Sequence, residues 1–292
     1  MNVRRLRWMA CFGLLLAQNA RAEWELIHQW GGVGGVEDIA IDSGGLVYVL
    51  DRPNGRVVVF TADGEYVREQ GGLDDPTGLA INENDVVYVQ ERCRIYRMTT
   101  LFQFLGGWES CLGQGDLQLN RGLDARDGIV WVATLNDVLK FEEDGTFIGR
   151  FMSGLGGTDV HAVPDGSVWV SIDYGSDGLV RHYSSGGQVL AEWSAILPDD
   201  ESSAPFDISV DGQERIYVGD GRIKIFKANG ELEDVLAPPL GYYFEAELDG
   251  DDILYVGRSI PSEIVKYHRV PVAVENVTWG WIKARMAEGI DH

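Results

Sequence analysis

The sequence predicts a six-bladed β-propeller, an all-β fold in which four-stranded antiparallel sheets form a ring. Three observations predict it: one strand–turn–strand pattern recurs six times, apolar and polar residues alternate within its strands, and Asp-Gly or Asn-Gly pairs mark its turns. The 292 residues are 45% hydrophobic and include 37 glycines, a composition typical of many short strands joined by turns. A β-sandwich and a solenoid are the alternative folds, but neither requires a four-strand unit.

Each repeat is centred on a strand in which an aromatic residue precedes a valine. Successive pairs are 40, 43, 38, 48 and 38 residues apart, and about 40 residues suffice for one propeller blade. The pairs are Tyr48-Val49, Tyr88-Val89, Trp131-Val132, Trp169-Val170, Tyr217-Val218 and Tyr255-Val256. Six such units predict six blades.

The segments after each pair supply the remaining strands of a blade. A third strand follows a polar loop, as in residues 56–60 and 222–226, and a glycine turn follows that strand. Four of the six units then contain a clear outer strand, for example residues 146–152 and 188–193. The sequence thus predicts four antiparallel strands per blade.

The two ends of the repeat region predict how the ring closes. Unit six, residues 243–270, has no clear outer strand, whereas residues 23–31 resemble an outer strand without a blade. We therefore expect the N-terminal strand to complete the last blade and remove an open sheet edge.

The segments outside residues 23–270 have other roles. Residues 1–22 resemble a secretory signal peptide: a basic start with Arg4, Arg5 and Arg7 precedes an apolar run, and Ala20-Arg21-Ala22 forms the cleavage site. The apolar run has about ten residues and is too short to span a bilayer. Residues 271–292 form a C-terminal tail with a short predicted helix, which packs on the propeller or docks another protein. We expect an exported protein, periplasmic or extracellular, with no membrane span.

The motifs of the repeats resemble the NHL-repeat family. Unit two contains Pro76-Thr77-Gly78-Leu79-Ala80, and unit one contains Asp51, Asn54 and Arg56 at the spacing of the family's loop motif. The resemblance covers residues 23–270 and implies a six-bladed propeller of the secreted bacterial type. Because one fold hosts unrelated activities, it implies little about function.

The charge of the chain excludes some partners. Its 24 basic and 46 acidic residues give a formal net charge of −22. We expect no binding to nucleic acid, whose phosphates such a surface repels. We also expect a monomer. An acidic surface that only keeps the protein soluble is the simpler interpretation of this charge.

Two cysteines remain after the predicted cleavage site, Cys93 and Cys111. Export to an oxidising compartment favours a disulfide between them. Two buried free thiols are the alternative.

Acidic residues recur where the first strand of a blade begins. Alignment on the aromatic–valine pairs places Asp38, Gly78, Gly122, Val160, Asp207 and Glu245 at one position of the six units. Asp38, Asp207 and Glu245 belong to units that become neighbours when the ring closes. Carboxylate oxygens are ligands for Ca²⁺, so we predict a weak calcium site there. Hydrated carboxylates that bind no metal are the alternative.

The channel mouth is the expected ligand-binding surface. The predicted mouth residues are Glu37, Asp38, Arg121, Asp159, His161, Phe206, Asp207, Phe244 and Glu245. His161 is the one histidine expected near the channel, so a three-histidine zinc site is not expected. We predict a module that binds a protein, peptide or glycan at this mouth, with no catalytic residues assigned. A metal-assisted hydrolase or lactonase and a purely structural module are the alternatives.

Overall fold

The structure, a computed structural model, describes residues 23–110, 120–151, 156–173, 178–200, 204–237, 241–250 and 252–270. These residues form 24 strands in six four-stranded antiparallel sheets. The predicted six-bladed β-propeller is therefore confirmed. The predicted signal peptide (1–22) and the tail (271–292) lie outside the described residues and stay predictions.

The first three blades follow one another along the chain. Blade one contains β2 (Asp38–Ile41), β3 (Val47–Asp51), β4 (Arg56–Phe60) and β5 (Tyr66–Gly71). Blade two contains β6 (Pro76–Ile81), β7 (Val86–Glu91), β8 (Arg94–Thr99) and β9 (Phe104–Glu109). Blade three contains β10 (Asn120–Arg126), β11 (Ile129–Thr134), β12 (Val138–Glu142) and β13 (Phe147–Phe151).

The remaining blades repeat this arrangement. Blade four contains β14 (Gly156–Ala162), β15 (Val168–Asp173), β16 (Leu179–Tyr183) and β17 (Val189–Ser194). Blade five contains β18 (Asp207–Val210), β19 (Arg215–Gly219), β20 (Ile223–Lys227) and β21 (Leu232–Leu236). Blade six contains β22 (Tyr243–Asp249), β23 (Ile253–Arg258), β24 (Glu263–Val270) and β1 (Glu23–Trp30).

The N-terminal strand closes the ring, as the sequence predicted. Strand β1 lies beside β24, so the order in blade six is β1-β24-β23-β22. Trp30 at the end of β1 is 8% exposed and contacts Phe60 of blade one and Tyr255 of blade six. The sequence indicated an outer strand in four units, whereas the structure has one in every blade.

The hydrophobic core lies between neighbouring blades. Six clusters of buried side chains each join one blade to the next, and the cluster that contains Ile39, Val49 and Tyr255 joins blade six to blade one. The aromatic–valine pairs lie in these clusters, so their rings serve packing. The cluster between blades six and one can form only when the ring is complete.

Helical structure is minimal in the described part of the chain. A single 3-10 turn, Arg52–Asn54, follows β3. No helix among the described residues is long and apolar enough to cross a membrane.

Candidate functional site

The strand register places four acidic residues at one structural position. Asp38, Asp207 and Glu245 pair with residues next to the valine of their unit, as the alignment assumed. In blade four the residue at this position is Asp159, which pairs with Ser171, whereas Val160 pairs with Val170. The assignment of Val160 was therefore wrong by one residue. Asp38, Asp159, Asp207 and Glu245, the carboxyl layer, occupy the four neighbouring blades four, five, six and one.

Three members of the carboxyl layer bind the backbone of the next blade. The Leu79 N–H donates to Asp38 Oδ2 (2.7 Å), the Ile208 N–H to Asp159 Oδ2 (3.1 Å), and the Ala246 N–H to Asp207 Oδ2 (2.9 Å). The innermost strand of a blade has a free edge toward the channel, and its buried N–H groups need acceptors. These carboxyl groups therefore connect blades as well as line the channel.

Burial changes the protonation of this layer. Desolvation raises the pKa of Asp159 to about 7 and raises the pKa of Asp38, Asp207 and Glu245 well above their usual ranges. Repulsion between neighbouring carboxylates adds to the effect, and Asp159 and Asp207 share a hydrogen bond that requires one proton. The layer thus holds protons near neutral pH.

Glu245 differs from the three aspartates of the layer. Within the described residues its carboxyl group has no hydrogen-bond partner, and the groups that act on it most strongly are other acids, led by Asp207 and Asp38. It lines the channel cavities on both sides of the layer. Glu245 is half-buried and therefore presents an acceptor that no described backbone group satisfies.

A cavity of about 480 Å³, the mouth cavity, lies on the side where the inner strands begin. Its lining includes six of the predicted mouth residues besides Asp38: Glu37, Arg121, Asp159, Phe206, Phe244 and Glu245. Sequence reasoning missed Arg52, Asp75 and Arg92, which follow or precede strands at the same end. These residues lie in polar loops between strands at the mouth end of the blades, and that position in the sequence repeat could have identified them.

Aromatic side chains form the wall of the mouth cavity on blades five and six. The rings of Phe206 and Phe244 meet edge to face at 5.2 Å, and Tyr242 stacks on Phe244 at 6.0 Å. Phe206 is 42% exposed and Tyr242 is 54% exposed. Phe206 and Phe244 line the cavity, and Tyr242 stacks on Phe244 without lining it. We call these three residues the aromatic wall.

The backbone holds the aromatic wall in place. The Phe206 N–H donates to the Gly219 carbonyl (2.8 Å), and Thr158 Oγ1 donates to the carbonyl of Pro205 (2.6 Å). A Cβ atom on Gly219 would lie 1.9 Å from the Phe244 carbonyl oxygen. Glycine at the end of β19 therefore permits Phe244 to approach.

The arginines of the mouth cavity already face acidic partners. Arg52 contacts Glu37 (2.7 Å) and Asp75 (2.8 Å), Arg92 contacts Asp74 (3.0 Å), and Arg121 lies 3.9 Å from Asp173. The last pair is the loosest. The acidic partners of these arginines are not members of the carboxyl layer.

A second cavity of about 300 Å³, the lower cavity, lies on the other side of the carboxyl layer. Asp207 and His161 line it, and neither of these two predicted mouth residues lines the mouth cavity. Asp124, Arg126 and Glu247 also line it and were missed. They lie two or four residues further along the same inner strands, a spacing that could have identified them.

The ionisable groups of the lower cavity are also perturbed. Desolvation, with repulsion from Asp124 and Asp159, raises the pKa of Glu247 to about 8. Desolvation lowers the pKa of His161, which favours the neutral imidazole. Asp124 Oδ2 accepts a hydrogen bond from the Ala162 N–H (2.7 Å), another connection between blades.

The calcium prediction gains no support from this geometry. Among the described residues, no group of three or more His, Cys, Asp or Glu side chains is arranged to hold a metal ion. Asp38 and Asp207 instead accept backbone hydrogen bonds. A calcium site at Asp38, Asp207 and Glu245 stays a prediction.

The predicted disulfide involves one residue outside the described part. Cys93 lies in the turn between β7 and β8, and its carbonyl accepts a hydrogen bond from the Ser110 N–H (2.7 Å). Cys111 lies outside the described residues. The bond stays a prediction, but the backbone next to Cys111 reaches Cys93.

Comparison with known families supports the repeat assignment. The NHL repeat model matches residues 35–60. Together with the six blades, this match bears out the resemblance to the NHL-repeat family of six-bladed propellers. No curated protein has a sequence similar enough to this chain to count as a match.

Solved structures of proteins with different activities share the fold. A virginiamycin B lyase from Staphylococcus aureus has a TM-score of 0.63 at 14% identity, covering 84% of this chain and 99% of that chain. A gluconolactonase from Xanthomonas campestris has a TM-score of 0.70 at 17% identity, covering 86% and 91%. The WD40 propeller domain of Doa1 has a TM-score of 0.59 at 15% identity, covering 84% and 96%. At these identities the likeness shows the fold alone.

Proposed function

We propose that this chain is an exported binding module that recognises a protein, peptide or glycan at its mouth cavity. One observation carries the proposal: the cavity of about 480 Å³ combines an aromatic wall on one side with polar and charged groups on the other. Ligand sites in proteins are concave, and they pair apolar surface with a few converging polar groups. Phe206, which is 42% exposed, and Phe244 line the cavity and supply the apolar surface.

The internal connections of the propeller support a rigid site. The residues below the mouth are held by hydrogen bonds between blades, such as those of Asp38 and Asp159. A rigid surface loses little conformational entropy when a ligand binds. The WD40 domain among the structural neighbours shows that the fold also occurs outside lyases and lactonases.

Binding to peptide and glycan arrays tests the proposal. The wild-type protein is compared with a mouth variant, Phe206→Ala/Phe244→Ala. The control is an outer-strand variant, Phe104→Ala/Leu105→Ala, whose two side chains are exposed on β9. We expect the mouth variant to lose the array ligands and the outer-strand variant to retain them. Ligands that both variants retain would exclude the mouth cavity as the site.

A hydrolase or lactonase that uses the carboxyl layer is the second candidate function. The observation in its favour is that several carboxyl groups with raised pKa values, including Asp159 at about 7, lie beside the mouth cavity, as at many catalytic sites. The lack of a three-ligand metal group in the described residues argues against the metal-assisted form. Turnover of a panel of lactones and esters that Asp159→Asn abolishes would establish this candidate.

A further inference from the structure

We propose that the group recognised in the mouth cavity is a cation: the side chain of a lysine or arginine in a peptide or protein loop, bound between Glu245 and the aromatic wall. The proposal rests on the proposed function and specifies the ligand of that site. It begins with Glu245, the member of the carboxyl layer that has no hydrogen-bond partner among the described residues.

The groups that act most strongly on Glu245 do not compensate its ionised form. The charged groups that act on it most strongly are four acids, Asp207, Asp38, Asp159 and Glu37. Glu245 is half-buried, and a partly desolvated carboxylate beside other acids is stabilised by a positive partner or a proton. The mouth arginines face acids of their own, at distances between 2.7 and 3.9 Å. A positive group from a ligand would supply the missing partner.

The aromatic wall favours the same class of ligand. Phe244 precedes Glu245 on β22, and its ring contacts both Phe206 and Tyr242. Aromatic faces attract ammonium and guanidinium groups, while the aliphatic part of a lysine or arginine packs on apolar surface. A basic side chain therefore matches both the rings and the carboxyl group, whereas a simple metal ion would leave the rings without contact.

The net charge of the protein agrees with a basic partner. The formal charge of −22 raises the encounter rate with cationic ligands and lowers it with anionic ones. The net negative charge and a mouth cavity that selects lysine or arginine would therefore both favour cationic ligands.

Protons should leave the site when the cation binds. The charged groups that face Glu245 or line the mouth cavity are Glu37, Asp38, Arg52, Asp75, Arg92, Arg121, Asp159 and Asp207. A cation stabilises the ionised carboxylates, so binding and deprotonation favour each other. Affinity should therefore rise between pH 5 and pH 8.

Calorimetry with short blocked peptides tests the proposal. The probes are acetyl-Gly-X-Gly-amides in which X is lysine, arginine, Nε-acetyl-lysine, norleucine or glutamate. We expect the lysine and arginine peptides to bind at least about tenfold more tightly than the acetyl-lysine peptide at pH 8, consistent with one charge-assisted contact. Glu245→Gln should remove that difference and leave the acetyl-lysine peptide unchanged.

Glu247→Gln is the matched control. Glu247 lies two residues further along β22 and lines the lower cavity, not the mouth cavity. Its pKa of about 8 leaves it largely protonated at neutral pH, so we expect the lysine peptide to bind this variant within about twofold of wild type at pH 7.

The outcomes separate this proposal from the proposed function. Equal affinity for lysine, acetyl-lysine and norleucine peptides, all lost in Phe206→Ala/Phe244→Ala, would overturn the cation and keep the mouth as a binding site. Lysine selectivity that survives Glu245→Gln would also overturn the proposal. If the mouth variant retains both the array ligands and every peptide that binds, both proposals fail.

Discussion

Gly122 of blade three leaves the space that the Asp159 carboxyl group of blade four occupies: a Cβ atom on Gly122 would lie 1.8 Å from Asp159 Oδ1. The alignment of the six units places this glycine at the position that Asp38, Asp207 and Glu245 occupy in other blades. The structure shows that the channel there is filled by the carboxyl group of the neighbouring blade. That carboxyl group accepts the hydrogen bond of the Ile208 N–H in blade five. One glycine therefore affects the connection between the two following blades.

Replacing this glycine should destabilise the protein. Gly122→Ala displaces the Asp159 carboxyl group and leaves the Ile208 N–H without its acceptor, so we expect a loss of about 2 kcal/mol in the free energy of unfolding. Gly149→Ala on the outer strand β13 is the control, because a Cβ atom there meets no atom within 4 Å. Urea denaturation measures both variants, and equal stabilities would contradict the role of Gly122.

The stability of the protein should fall as pH rises. The pKa of Glu247 is about 8 in the folded protein, above the value of about 4.3 in an unfolded chain. The folded state therefore holds a proton that the unfolded state has lost, and this stabilisation is complete below about pH 4 and disappears as pH rises toward 8.

Glu247→Gln isolates this effect from repulsion across the acidic surface. The variant should lose less stability per pH unit between pH 5 and pH 8 than wild type, by at most about 1.4 kcal/mol per unit. Glu65→Gln, at an exposed turn, should follow the wild-type curve. Parallel curves for wild type and Glu247→Gln would show that Glu247 is not protonated in the folded protein.

The closing strand should contribute strongly to stability. Trp30→Ala removes contacts with Phe60 and Tyr255, which belong to the two blades that meet at the closure. We expect a loss of about 3–5 kcal/mol. Ile27→Ala on the same strand, where Ile27 is 47% exposed, should cost far less. Deleting residues 23–31 should lower the melting temperature further, and an unchanged melting temperature would refute closure by this strand.

The predicted disulfide is testable by mass spectrometry. We expect the exported protein to carry a Cys93–Cys111 bond, which closes a short segment and stabilises the fold by about 3 kcal/mol. Cys93→Ser/Cys111→Ser should unfold at lower denaturant concentration than wild type under oxidising conditions. Two free thiols in the purified exported protein would rule out the bond.

The repeats made the fold predictable, because each unit has the same strand pattern and the same aromatic–valine pair. The outer strand of one unit besides unit six was missed, because exposed outer strands such as β21 (Leu232–Leu236) have weak alternation. Closure by residues 23–31 followed from the strand that unit six lacked.

The candidate site was only partly predictable, because it depends on register and on contacts between blades. The turn between the first two strands has five residues in blade four (between Ala162 and Val168), as it has in blade one (between Ile41 and Val47). The alignment counted back from the aromatic–valine pair by one residue too few in blade four, and it therefore selected Val160 instead of Asp159. The sequence also gives no sign that Asp38 binds the Leu79 N–H, which lies 41 residues away. Only the folded ring brings these groups together.

The most direct measurement is the structure of the protein bound to its best array or peptide ligand. We expect the ligand to occupy the mouth cavity, with its apolar part against Phe206 and Phe244 and its positive group within hydrogen-bond distance of Glu245. A ligand bound on the outer strands or in the lower cavity, with the mouth cavity empty, would contradict it.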